Sequence, residues 1–180
     1  RQSRRGPEGM SRDAAPFVVR EGTPGDAEGV AALARALNEH ERDPVEHLDL
    51  DAVRRDMLGP DAAVEVLVAA RDDAILGYAA FHPAYDSTYA ARGLFMIDLY
   101  VDGAARELGV GRALIAAVSA AARARGMTYV SWTANTWNDR ANAMYAAIGS
   151  TNETILYHSL YGEAFEKLAA SGGTAGTKEN

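Results

Sequence analysis

The chain has 180 residues, 48% of them hydrophobic, which suffices for one domain with a substantial core. It has no cysteine, so disulfides, thiolate metal ligands and a cysteine nucleophile are excluded. A net charge of -7 argues against a general nucleic-acid surface, which needs a basic footprint, and suits a cationic partner. No apolar run approaches a membrane span, which predicts a soluble, cytoplasmic protein. The predominance of Arg among the basic residues, with abundant Ala, points to a GC-rich bacterial genome.

The basic start RQSRRGPEGM is followed by no apolar stretch, so it does not read as a secretory signal; Met10 is a candidate natural start. Residues 1–15 are expected to lie outside the fold, the domain to span residues 16–170, and the small polar residues 171–180 to form a loose tail. PFVVREG predicts a short strand over about Phe17 to Arg20. In TPGDAEGVAALARALNEH, Thr23 is an N-cap, Pro24 suits the first helical position and Asp26 completes a capping box; Val30, Leu33 and Leu37 then form one apolar face. A loop broken by Pro44 precedes a second short helix, LDAVRRDML. AAVEVLVAA and ILGYAAFH read as strands, and the short polar turn between them predicts an antiparallel hairpin.

GLFMIDLYV, Gly93 to Val101, is the longest strand candidate and is apolar nearly throughout, which predicts a central position. GRALIAAVSAAARARG is the strongest helix, with Leu114, Ile115 and Val118 on its buried side, arginines in its last turn and Gly126 at its end. The strand MTYVSWTA, a helix from Asn138 to Gly149, a last strand region ETILYHSLY and a last helix GEAFEKLAA follow. The order β-α-α-β-β-β-α-β-α-β-α, without internal repeats, predicts a single mixed α/β domain.

Chemistry enters at DGAARELGVGRAL, between the long strand and the strongest helix. The first N–H groups of a helix lack internal partners and sit at the positive end of its dipole, so they favour a phosphate. Gly109 and Gly111 would let a ligand approach the backbone, and Arg106 and Arg112 add positive charge. A P-loop would end in Gly-Lys-Ser/Thr, whereas Gly111 is followed by Arg112 and Ala113. A dinucleotide fingerprint would need three glycines and a later acid, and neither is present. Glycines used only for turning remain the plain alternative.

The stretch RELGVG, Arg106 to Gly111, after a long apolar strand, resembles the Arg/Gln-x-x-Gly-x-Gly/Ala signature of GNAT-type N-acetyltransferases. WNDRANAMYAAIG also resembles that family, with Asn138, Ala141, Tyr145 and Gly149 at its spacings. Within the family the chain is most similar to the spermidine/spermine (diamine) and thialysine branch, through LNEHE, GYAAFHPAYDS, IDLYV and GEAFEKLA. The resemblance implies a single domain with a mixed sheet of six to seven strands, splayed at a coenzyme A cleft and flanked by four to five helices. It implies acetyl-CoA as co-substrate and no metal. It also implies that Arg106, Glu107, Leu108, Gly109, Val110, Gly111, Arg112 and Ala113 surround the pyrophosphate. Leu99, Tyr100 and Val101 would line the pantetheine, and Asn138, Ala141 and Tyr145 complete the site. It further implies a homodimer, with the C-terminal strand and helix near the interface.

Tyr145 would protonate the leaving thiolate; a phenol is a suitable acid for it, although a core tyrosine is the structural alternative. Asn138 would bind the co-substrate or cap its helix, or do both. Glu41, Asp86 and Asp98 fall where polyamine-type members place carboxylates around an amine, with a solvated loop acid and a turn residue as the alternatives for the first two. Asp98 interrupts an apolar strand, and a buried carboxylate there must be paired or functional. Polyamine acetyltransferases carry Glu just before this Asp; here it is Ile97, and strand alternation stops Asp98 from simply replacing it. Ser87 and Thr88 stand where an aromatic often follows the channel Asp. Both departures weigh against spermidine or spermine as substrate and leave His40 and His82 as candidate bases. The reading is an acetyl-CoA-dependent N-acetyltransferase for a small cationic or amino-acid-like amine, acting by direct transfer in a ternary complex without nucleic-acid or membrane partners. Its rivals are a peptide N-acetyltransferase and a non-catalytic acyl-CoA-binding module.

Overall fold

The computed structural model describes residues 16–172. In chain order it contains β1 (Val18–Glu21), α1 (Ala27–Glu41), α2 (Leu50–Ala52), β2 (Glu65–Arg71), β3 (Ala74–Asp86), β4 (Ala91–Val101), α3 (Val110–Ala124), β5 (Tyr129–Trp132), α4 (Asp139–Ala147) and α5 (Gly162–Gly172). A 3-10 turn, Pro24–Asp26, leads into α1, and α2 runs on as a π-helical turn, Val53–Met57. The chain divides into two compact units, one ending at Met144 and one beginning at Tyr145. The expected loose segment 1–15 and residues 173–180 of the expected tail 171–180 lie outside the described residues, while Ser171 and Gly172 belong to α5, which extends past the expected domain end at residue 170.

The first unit is built on a five-stranded sheet in the order β1-β2-β3-β4-β5. Pairs from β1 to β4 are antiparallel, and β4–β5 is parallel. The chemistry of the connections explains this. Arg71 and Ala74 close a two-residue hairpin in which Asp72 takes a φ of 51°, while β4 reaches β5 only through the crossover helix α3. Along β2 and β3 side chains alternate between two cores. Val66, Val68, Tyr78 and Ala80 join Val30, Leu33, Ala34 and Leu37 of α1. Leu67, Ala69, Ala79 and Phe81 point the other way, towards the face covered by α3 with its buried Leu114, Ile115 and Val118.

In the second unit the end of α4 is closed by Ser150 and Ile148 N–H groups donating to the Tyr145 carbonyl, with Gly149 at a φ of 86°. The sheet of six to seven strands is not found: the described residues hold five. The missing strand is ETILYHSLY, since residues 151–161 carry no regular secondary structure. Its pattern is strand-like, but a strand needs an edge to pair with, and the described part of this unit offers no other strand. The five helices of the described residues agree with the expected four to five.

Candidate active site

The site begins with an irregularity in β4. Ala80 pairs with Asp98 and Phe81 with Met96, so Ile97 is an extra residue, a β-bulge. Two residues here oppose one, so strict alternation does not fix the directions of Ile97 and Asp98 as expected from the sequence. The parallel pairing of β4 with β5 ends at the same place, with Met96 and Trp132 the last partners. From Asp98 to Val101, β4 is paired only with β3 among the described residues. Asp102 N–H donates to the Leu76 carbonyl at 2.9 Å. Antiparallel pairs alternate, so Tyr100 and Asp98 also turn their backbone groups towards β3. Leu99 and Val101 therefore direct theirs to the side that β5 has left. The Val101 carbonyl accepts the Arg106 Nε–H at 3.5 Å, consistent with that direction.

The loop after β4 is shaped by backbone conformation. Glu107 and Gly109 both have positive φ, 68° and 81°, and Gly109 is the N-cap of α3. The first α3 hydrogen bond is Ala113 N–H to Gly109 carbonyl at 3.0 Å, which leaves the N–H groups of Val110, Gly111 and Arg112 without helical partners. Gly111 has a packing reason as well: a Cβ there would sit 3.2 Å from Met144 Sδ and 3.6 Å from a Val101 methyl. Arg106 turns back over the Tyr100 ring, 5.9 Å from its centroid, and Arg140 lies 3.9 Å from Glu107. The combination of a vacated strand edge and an open helix N-terminus suits an extended ligand with amides along its length and an anion at its end.

An acidic group lies on the α1 side of the sheet. The Tyr78 hydroxyl donates to Asp98 Oδ2 at 2.9 Å, and the Tyr78 side chain is fully buried. Burial pushes the Asp98 carboxyl above its ordinary range, and the bond from Tyr78 opposes that shift. Burial also raises the Glu41 carboxyl, helped by the charges of Asp43 and Asp98. Glu41 and Asp98 thus act on one another electrostatically, from the end of α1 and from the bulge. Glu41 Oε1 accepts the Asn135 amide at 3.3 Å, and the His40 ring meets Trp137 edge-on at 5.5 Å. These two contacts tie α1 to the segment between β5 and α4. Two partly buried carboxylates, with Trp137 against the neighbouring His40, form a negative, partly aromatic surface, which is chemistry for a cation.

The other expected site residues are dispersed. His82 stacks on Phe95, its register partner, at 5.6 Å, and its Nδ1 lies 2.9 Å from the Pro83 carbonyl, so that nitrogen carries the hydrogen. Asp86 accepts the N–H groups of Thr88 and Tyr89 in the turn after β3. It lies six residues beyond Ala80, about 20 Å along the strand from the Asp98 pairing. Asn138 caps α4, accepting the Ala141 N–H at 3.2 Å. Tyr145 belongs to the second unit. Three site residues escape sequence reasoning. Tyr78 carried the one available signal, a phenol within an apolar strand that must find a partner when buried. Asn135 and Trp137 gave none, because their partners are remote in sequence. Among the described residues no cluster of His, Asp or Glu is arranged to hold a metal, and no helix is long and apolar enough to cross a membrane.

The model of the Acetyltransferase (GNAT) family matches residues 30–149, from α1 to the glycine after α4. The chain belongs to this family. It is 29% identical over 166 residues to thialysine N-epsilon-acetyltransferase of Bos taurus, covering 84% of this chain and 96% of that protein. That relative agrees with the resemblance to the diamine and thialysine branch. Among solved structures, an integron cassette protein from the mobile metagenome of V.cholerae is similar with a TM-score of 0.71 and 21% identity, over 85% of this chain and 97% of that one. The ribosomal-protein-alanine N-acetyltransferase of Brucella melitensis is similar at 0.68 and 20% identity, over 81% and 100%. These two likenesses concern the fold. As a GNAT acetyltransferase the protein is an acyltransferase enzyme, and GNAT enzymes take acetyl-CoA as co-substrate.

Proposed function

We propose that the protein transfers an acetyl group from acetyl-CoA to a primary amine of a small cationic or amino-acid-like substrate, directly, in a ternary complex. The observation that carries this reading is the carboxylate pair Glu41 and Asp98 beside the strand edge that β5 has left. The pyrophosphate lies at the start of α3, against the loop from Arg106 to Ala113, and the pantetheine pairs with Leu99 and Val101 like an added strand. The Leu99 N–H polarises the acetyl carbonyl. A protonated amine has no lone pair, so its proton passes first to a carboxylate of the pair. The amine nitrogen then bonds to the acetyl carbon and the carbon–sulfur bond breaks; Tyr145 gives its phenolic proton to the departing thiolate, and the second proton of the now cationic nitrogen leaves to give the neutral amide and restore the phenol. The name of the bovine relative supports an amino-acid-like amine with a side-chain nitrogen.

The test is thiol release from acetyl-CoA over a panel of putrescine, spermidine, lysine, thialysine, aminoglycosides and N-terminal peptides. The expected result is turnover on a small amine that falls at least about tenfold in Tyr145→Phe. Undiminished turnover in the mutant would remove Tyr145 from the mechanism. Turnover on peptides alone would replace the small-amine reading. Binding of acetyl-CoA without turnover on any amine would make the protein an acyl-CoA-binding module.

The active form in this reading is a cytoplasmic homodimer. Residues 151–161 are strand-like in sequence but unpaired, and Leu156, Tyr157 and Tyr161 are exposed. A second copy would give that segment an edge and its apolar side chains cover. Sedimentation velocity is expected to give a dimer mass, and a monomer at micromolar concentration would refute this part.

A further inference from the structure

Tyr78 lies fully buried in the α1-facing core of the sheet, and its hydroxyl donates to Asp98 Oδ2 at 2.9 Å. The geometry follows from the register. Tyr78 opposes Tyr100 and Ala80 opposes Asp98, so Tyr78 and Asp98 are diagonal neighbours across β3 and β4 on the side of the bulge away from Met96. A phenol in that place stays neutral and keeps its hydrogen to donate to the carboxylate, because its own ionisation is pushed well above the ordinary tyrosine range by burial and by the Asp98 charge. The bond uses one carboxylate oxygen and leaves Oδ1 for another partner.

We propose that Tyr78 is a positioning residue for the acetyl transfer: its hydroxyl holds Asp98 as an anion, with one oxygen fixed against the sheet and the other available to the substrate ammonium. This rests on the proposed function above for its meaning, but the Tyr78–Asp98 bond can be tested without any turnover. The charged and titratable groups that face Asp98 are Tyr78 from β3 and, acting through Asp98 or Tyr78, Glu41 from α1 and Tyr100 from β4; Glu41 in turn feels His40 and Asp43. None of these is a cation placed against Asp98 by an ion pair in the described residues, so the phenol is the group whose hydrogen bond opposes the effect of burial on the carboxylate. An arginine there would do so more strongly, but it would also neutralise the surface that a cationic amine needs. A neutral donor preserves the charge.

The test compares wild type with Tyr78→Phe, which removes only the oxygen. The side-chain carboxyl of Asp98 is followed by carbon-13 NMR against pH in Asp-labelled protein, with Asp98→Asn identifying the signal. The midpoint is expected to rise by about one pH unit in Tyr78→Phe, the size of one hydrogen bond to a charged group. Replacing Tyr78 with 3-fluorotyrosine, a stronger donor of nearly the same shape, is expected to lower it. A midpoint that stays put in both variants, or moves the other way, would overturn the proposal. If Tyr78→Phe does not fold, the fluorinated variant alone decides. Where a substrate amine is turned over, the acid limb of kcat/KM is expected to rise with the Asp98 midpoint in Tyr78→Phe, while the affinity for acetyl-CoA stays the same. Failure of every amine would count against the proposed function and leave the NMR result standing.

Discussion

Asp98→Asn is expected to lower kcat/KM for the amine by about 10²–10³-fold while leaving the folded state at least as stable as wild type. The two halves come from one fact, the burial of the carboxylate beside Tyr78. In the proposed reaction the ionised Asp98 attracts the ammonium and, with Glu41, takes its proton. Asn keeps the shape and still accepts the Tyr78 hydroxyl, but it carries no charge. For folding the sign is opposite. The folded-state value of Asp98 lies above its unfolded value near about 4. Ionisation therefore favours the unfolded chain, and the penalty grows as pH rises through the folded value. Asn removes that penalty, so the thermal midpoint at neutral pH is expected to hold or rise. A lower midpoint would mean that the lost activity was lost structure.

The pH profile separates this from a role in shape alone. Glu41 is raised first by burial, then by Asp43 and by Asp98. With Asp98 neutralised, one of those causes disappears, and whatever acid limb remains in kcat/KM is expected to move to lower pH. The Asp98 charge is one cause of the raised Glu41 carboxyl, so the wild-type limb is assigned to one group only after the other is removed. Residual activity with an unmoved limb would take Glu41 out of the reaction.

Much of this arrangement could be read from the chain. The loop before α3 was visible because glycines and arginines stand between a long apolar run and a periodic one, and the structure puts Gly109 in a left-handed conformation at the N-cap. Asp98 was visible because one acid in an apolar strand demands a reason. The bulge at Ile97 was not, since an inserted residue changes no periodicity a reader would trust in so short a span, yet it marks where β5 leaves β4. Sequence alternation predicted the last strand correctly as a pattern and wrongly as an element, because pairing is a property of two segments. Asp86 was readable both ways, and the hydrogen bonds from Thr88 and Tyr89 show its local use in the turn. Asn135 and Trp137 were illegible, because their contacts with Glu41 and His40 join segments more than ninety positions apart, which no local pattern encodes.

Asp26→Ala is expected to destabilise the first unit by about 2–3 kcal/mol, lowering the thermal midpoint by about 5–10 °C. Its carboxylate, only 8% exposed, accepts four hydrogen bonds. Two come from the Arg20 guanidinium at 2.7 and 2.8 Å, a bidentate pair that fastens β1 to the start of α1. Two come from the N–H and hydroxyl of Thr23, both at 2.8 Å, and the N–H bond is one arm of the capping box that the sequence announced. Arg20 keeps 41% of its side chain exposed, so water can take up much of what the mutation leaves on that side, which holds the loss well below that of a fully buried ion pair. The Arg20 guanidinium holds the Asp26 carboxyl far below the usual range, outweighing its burial, with Thr23 adding to the effect. A depressed folded value means that the contribution is complete above the unfolded value, near about 4, and fades as pH falls below it. The stability gap between wild type and Asp26→Ala, measured by urea unfolding, is therefore expected to be constant from neutral pH to about pH 5 and to shrink below about pH 4. A gap that widens on acidification would show that the carboxylate works in the folded state as a neutral group, against the geometry of its four donors.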